Sequence, residues 1–242
     1  MIRIGFIPRL AALILGASSA TAETPGLALR DQAALANIAA FPKLVGTDPA
    51  TIKINHDLFL RDKAVINALL DCSDDPYLSW YRWIEVPFNG PNFISFSVHD
   101  DVDCGGLHGN QNQTPLTYDR QTGDLVDWVA LLPKSWIADL TENAAATLMD
   151  PQVLGSAALT QVYLSLYPRL DDPDCGPSVR SNGLSFIFWP DADSHSLRME
   201  PASFSYADRA CADLVDIPVA QLAASGADPR LVTALGALAP AP

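Results

Sequence analysis

The sequence predicts an α+β fold: an antiparallel β-sheet with helices packed against it, stabilised by two disulfides. Three observations predict it. Strand-like segments come in adjacent pairs, with helical segments before and after them rather than between each one. Three of the helical segments open on the same Asp-Pro dipeptide. Four cysteines, at positions 72, 104, 175 and 211, make an even set without a C-x-x-C spacing.

Residues 23–40 read as a short Ala-rich helix. Asp48-Pro49 starts a stronger one. Asp suits the cap, and Pro suits the first helical position because its missing N–H would be unpaired there. Ile54, Leu58, Val65 and Leu69 recur at helical spacing as its buried stripe, and Cys72 follows. Leu78–Val86, rich in Trp, Tyr and Ile, reads as a strand. Alternation places Trp80, Arg82 and Ile84 on one face and Tyr81, Trp83 and Glu85 on the other. Phe93–Val98 alternates too, with Ile94, Phe96 and Val98 together. Leu116–Tyr118 enters a turn at Asp119–Gly123, where Gly123 suits a positive φ, and Leu125 leaves it. Residues 135–148 read as a helix carrying Ile137, Leu140, Ala144 and Leu148. Asp150-Pro151 opens another with Leu154, Ala158, Val162 and Leu166. Leu184–Trp189 is a strand closed by Pro190, and 203–207 and 213–217 supply one or two more. Pro218 starts a short helix that stops at Gly226, and Asp228-Pro229 opens the last, with Leu231, Leu235 and Leu238.

Residues 1–22 have the layout of a secretory signal peptide. Arg3 and Arg9 precede a short apolar run, and small residues end in Ala20-Thr21-Ala22. That run is too short to span a bilayer, which takes roughly 20 residues. Residues 23–242 are expected to form a single domain, periplasmic or secreted. Removing the leader takes away two basic residues and no acids, so the net charge of −13 becomes −15. Such acidity argues against nucleic acid as a partner and favours a basic one. In an exported chain the even cysteine count reads as two disulfides. Cys72–Cys104 and Cys175–Cys211 are the expected pairs, each bracketing one strand-rich segment.

Three stretches together resemble a known extracytoplasmic family. They are FPKLVGTDPATIKIN at 41–55, ISFSVHDDVDCGGLHGNQNQTPLTYDRQTGDLVDWVALL at 94–132, and NGLSFIFWP with FSYADRACADLVDIPVAQL within 182–222. The middle stretch resembles the family's order of strand, G-G-x-H-G, strand, D-x-x-T-G and apolar segment. The family includes the outer part of RsiV-type lysozyme-sensing anti-sigma factors and a non-catalytic module of peptidoglycan deacetylases. This sequence departs from the pattern at Asp208–Cys211 and in its four cysteines. The resemblance implies an α+β domain that binds or senses, without catalysis, and a cationic lysozyme-type protein or a cell-wall fragment as partner.

The densest polar cluster is His99, Asp100, Asp101, Asp103 and His108, beside the glycines Gly105, Gly106 and Gly109. His108, Gly106, Gly109, His99, Asp101 and Asp103 are the candidate binding residues. No EF-hand spacing, H-E-x-x-H, G-x-G-x-x-G or G-x-S-x-G is present, so neither a metal nor a cofactor is expected. Tyr77, Trp80, Tyr81 and Trp83 serve either as core or, on an exposed face, as stacking surfaces for sugar. The alternative function is a small extracytoplasmic hydrolase of wall glycan or ester, centred on His108 and nearby carboxylates.

Overall fold

A computed structural model describes residues 26–35, 37–72, 79–104, 109–181, 183–202, 204 and 208–236, with the side chains of 71, 72 and 181 left out. The leader-like residues 1–22 and residues 105–108 lie outside these residues. The α+β class holds. Two antiparallel sheets form the body, and a two-stranded ribbon, β1 (Leu29–Arg30) with β2 (Lys43–Leu44), lies beside them.

The first sheet is a meander of β3 (Ser79–Asn89), β4 (Phe93–Asp103) and β5 (Asn110–Asp119). Helix α1 (Pro49–Cys72) covers one face. The Asp48 side chain accepts the Thr51 N–H at 2.9 Å and caps this helix as the sequence predicts. Ile54 and Leu58 from α1 meet Ile94, Phe96, Leu116 and Tyr118 from the sheet in one apolar core, closed by Phe41 and Leu44. The turn after β5 holds Gly123 at φ 74°, where an added Cβ would sit 2.6 Å from the Ala50 carbonyl oxygen. Both the backbone angle and this close approach require glycine.

The second sheet has the order β10-β9-β8-β7-β6. Its strands are β6 (Glu142–Ala144), β7 (Val153–Gly155), β8 (Ser185–Asp191), β9 (Ser196–Pro201) and β10 (Val215–Pro218). Helices α2 (Trp128–Leu131), α3 (Ala157–Leu166), α4 (Cys175–Ser181), α5 (Val219–Ser225) and α6 (Pro229–Gly236) accompany it. Leu159, Tyr163, Val179, Leu222, Leu231 and Leu235 bury against Phe186, Phe188, Leu197 and Ile217. Strand β8 also lies against β3, β4 and β5. A bulge in β3 between Glu85 and Phe88 contributes to this junction: Pro87 leaves its carbonyl free to accept the Ala192 N–H at 2.8 Å.

Several expectations are corrected. Residues 26–35 and 37–40 contain no helix; Leu29–Arg30 pairs with β2, and Ile38 bridges to Arg82. Residues 135–148 are a 3-10 turn at Lys134–Trp136 followed by the edge strand β6. Asp150-Pro151 does not start a helix. Asp150 closes a turn with Thr147, and β7 follows. The helix begins at Ser156, whose Oγ accepts the Leu159 N–H at 2.9 Å. Its hydroxyl does the capping that the Asp-Pro signal suggested six residues earlier. Of the two expected disulfides, one is found among the described residues: Cys175–Cys211, with Cα atoms 5.2 Å apart, ties α4 to the turn before β10. The Cys72 side chain is outside the described residues, so the expected Cys72–Cys104 pairing falls there. Most of 203–207 and Leu238 also fall outside them.

Candidate functional site

The distal halves of β3, β4 and β5 run past the apolar core. His99–Asp103 pairs with Asn110–Gln113 in a continued ladder: His99 faces Gln113, Asp100 faces Asn112 and Asp101 faces Gln111. Polar side chains with little strand preference are held extended here by the backbone bonds of the hairpin. Alternation then sorts them onto two faces.

Trp80, Arg82, Asp100, Val102, Asn110 and Asn112 share the face that looks toward α1 and the second sheet. The Arg82 side chain is 3% exposed and stacks over the Phe41 ring at 4.8 Å. Its Nη1 lies 3.3 Å from Asp62 Oδ1, and its Nε lies 3.9 Å from Asp100 Oδ1, beyond hydrogen-bond reach. Burial pushes Arg82 down, opposed by the charges of Asp100 and Asp62; burial also pushes Asp62 up. Asp100 Oδ1 accepts the Trp80 Nε1–H at 2.7 Å. Its Oδ2 accepts no hydrogen bond among the described residues.

Beyond Asp100 opens a cleft of about 690 Å³ between this sheet end, the 144–153 segment and strands β8 and β9. The 144–153 wall is tied at two points. The Leu148 carbonyl accepts Arg61 Nη1–H at 2.9 Å, and buried Gln152 accepts the Trp128 N–H at 2.7 Å while donating to Asp127 and Asn143. Glu200 on β9 lines the opposite side with Ile187. Burial pushes its carboxyl up to about 7, and Arg209 pulls against this. Glu200, Asn110 and Asn112 make no side-chain hydrogen bonds among the described residues. The cleft therefore presents open donors and acceptors together with the apolar edges of Trp80, Ile187 and Met149.

The other face is open. Tyr81 is 52% exposed and Trp83 49%. The Trp83 indole stacks on the His99 imidazole, centroids 4.6 Å apart and 2° from parallel. His99 Nε2 lies 3.1 Å from Ser97 Oγ and 3.5 Å from the exposed Glu85 carboxylate. Asp101 and Asp103 continue the same face along β4, with Gln111 reaching Asp101 at 3.5 Å.

Of the sequence candidates, the structure brings His99, Asp101 and Asp103 onto one strip with Tyr81 and Trp83. Gly109 precedes β5, close enough to Val102 that a Cβ would sit 3.3 Å from its carbonyl oxygen. His108, Gly106 and Tyr77 lie outside the described residues. Among the described residues no three His, Cys, Asp or Glu side chains converge on a metal position, and no helix is long and apolar enough to cross a membrane. Sequence reasoning missed the cleft. The alternation of β3 separates Trp80 from Trp83, but no sequence signal brings Glu200 across from Asp100.

No family model matches the chain, and no curated protein matches it. Solved structures similar to it include two DUF3298 proteins. One is a DUF3298 family protein from Pseudomonas aeruginosa, 17% identical, with 70% of each chain covered and a TM-score of 0.44. The other is a DUF3298 family member from Bacteroides fragilis, 12% identical, with 79% of this chain and 74% of that one covered and a TM-score of 0.46. The structural neighbours of this chain are thus proteins of DUF3298, a domain of unknown function.

Proposed function

We propose that this chain is a non-catalytic, extracytoplasmic binding domain that engages a basic protein through the outer face of β3 and β4. The observation that carries the reading is the strip itself. Exposed Tyr81 and Trp83 lie beside Glu85, Asp101 and Asp103 on a chain of net charge −13. Rigid aromatic rings supply contact area at low entropic cost, and the surrounding acids steer a cationic partner. The Cys175–Cys211 bridge and the leader-like residues 1–22 support a periplasmic or secreted location. The sequence resemblance makes lysozyme the first probe.

Titrating the oxidised protein with lysozyme by calorimetry, at low and high salt, tests this. Saturable one-to-one binding is expected, weakened moderately by salt and at least tenfold by Trp83→Ala. Absence of saturable binding to lysozyme or any other cationic hydrolase at low salt removes the reading. Unchanged affinity in Trp83→Ala moves the interface elsewhere.

A further inference from the structure

We infer that the cleft between the two sheets is a second, separate binding site, for a short uncharged oligosaccharide. The inference does not rest on the outer face. The cleft's volume of about 690 Å³ is in the range of small-ligand sites, roughly 300–1,000 Å³. Its walls are fixed rather than loose: Gln152 and Arg61 pin the 144–153 segment, and the β3–β5 ladder holds the facing strands.

The lining chemistry selects the ligand class. Asp100 Oδ1 is held by Trp80 Nε1 while Oδ2 accepts no hydrogen bond among the described residues, so this lining carboxylate is anchored and keeps acceptor capacity. Asn110 and Asn112 add amide donors and acceptors on the same face, and Glu200 adds a carboxyl from across the cleft. With its proton retained up to about 7, Glu200 acts as donor and acceptor both. Sugar hydroxyls are paired donors and acceptors and match this set. Trp80, Ile187 and Met149 supply apolar surface for the C–H faces of the rings. A formal anion would meet Asp100 and Asp150, with Arg209 the one cation among the described lining residues. A cation would meet Asp100 and Asp150 with Glu200 neutral and Arg209 opposing, and a cationic control reads that outcome directly.

The test uses the mature, oxidised protein with chitotriose, cellotriose and maltotriose as probes and trilysine as the cationic control, by calorimetry near pH 6.5. Saturable binding of at least one trisaccharide is expected, with a dissociation constant below about 1 mM. Asn112→Ala and Glu200→Ala should each weaken it at least fivefold, with the urea midpoint of Asn112→Ala unchanged because that side chain is exposed. Trp83→Ala, on the opposite face, should leave it unchanged. Failure of all three trisaccharides to saturate overturns the proposal. So does binding that survives both cleft substitutions, or trilysine binding tighter than any sugar. Trp83→Ala separates the two readings: it weakens lysozyme binding at least tenfold and spares sugar binding.

Discussion

Glu200 gives the fold a pH dependence whose sign is fixed by its surroundings. Burial in the cleft wall raises its carboxyl from the ordinary 4.5 to about 7, with Arg209 opposing. The folded protein therefore holds this proton more tightly than the unfolded chain does. The stabilisation is complete below the unfolded value of 4.5 and is lost as pH rises through about 7. A displacement of that size corresponds to about 3 kcal/mol at most. The carboxyl still touches solvent in the cleft, which screens it, so about 1–3 kcal/mol is the working range. Glu200→Gln keeps the shape and hydrogen-bonding capacity and removes the ionisation. Urea unfolding of both proteins at pH 4.5, 6, 7 and 8 measures the difference; every other titrating group cancels in it. The variant should match the wild type at pH 4.5 and exceed it by about 1–3 kcal/mol at pH 8. A difference that stays flat across this range, or a variant less stable at pH 8, would refute the burial argument.

Two further perturbations follow from the same geometry. Arg82→Ala strands Asp62 and Asp100 beside an apolar core without their shared cation, and should cost about 3–5 kcal/mol in urea unfolding; a loss below about 1 kcal/mol would show that the acids simply protonate or rehydrate. Replacing Cys175 and Cys211 with Ser together opens a link between residues 36 apart and should lower stability by about 2–4 kcal/mol. Non-reducing peptide mapping of the oxidised protein should then show a second linked pair, Cys72 with Cys104; a free thiol at either position rejects it.

The parts legible in the sequence were those decided locally. Helix α1 announced itself through the Asp48 cap, Pro49 and its stripe, of which Ile54, Leu58 and Val65 are buried and Leu69 is half-buried. Helices α5 and α6 were likewise marked by Pro218, Gly226 and Asp228-Pro229. The misreadings came where one local signal serves two structures. Asp-Pro at 150–151 fits a turn before a strand as well as a helix start, and the pairing of β7 between β6 and β8 decided for the strand. Residues 99–103 and 110–113 fell outside the strands read from the sequence because, apart from Val102, their side chains are polar. They are strand because the hairpin ladder satisfies their backbone groups whatever their side chains are. The cleft was invisible for a different reason: Asp100 and Glu200 line it from two different sheets, and sheet-to-sheet placement leaves no periodicity in the chain.

Both proposed surfaces arise from one irregularity in β3. In an unbroken strand Phe88 would share a face with Ile84, Arg82 and Trp80. The bulge between Glu85 and Phe88 breaks that alternation. Phe88 turns into the core of the second sheet, while Ile84 packs on the core beneath α1 and Arg82 pairs with Asp62. Each sheet thereby receives an apolar anchor from the same strand. Beyond the bulge the register is uniform, so Trp80 and Asp100 are committed to the cleft, and Trp83 and His99 to the open face. Moving the β3–β4 pairing by one residue would put Tyr81 where Trp80 stands and expose the Arg82 guanidinium. The buried Arg82 pairs with Asp62 and Asp100 oppose that slip, because an exposed Arg82 would leave both acids at the core edge without a cation. An ion pair of modest net worth to stability thus holds the register that separates a polar cleft from an aromatic, acidic face.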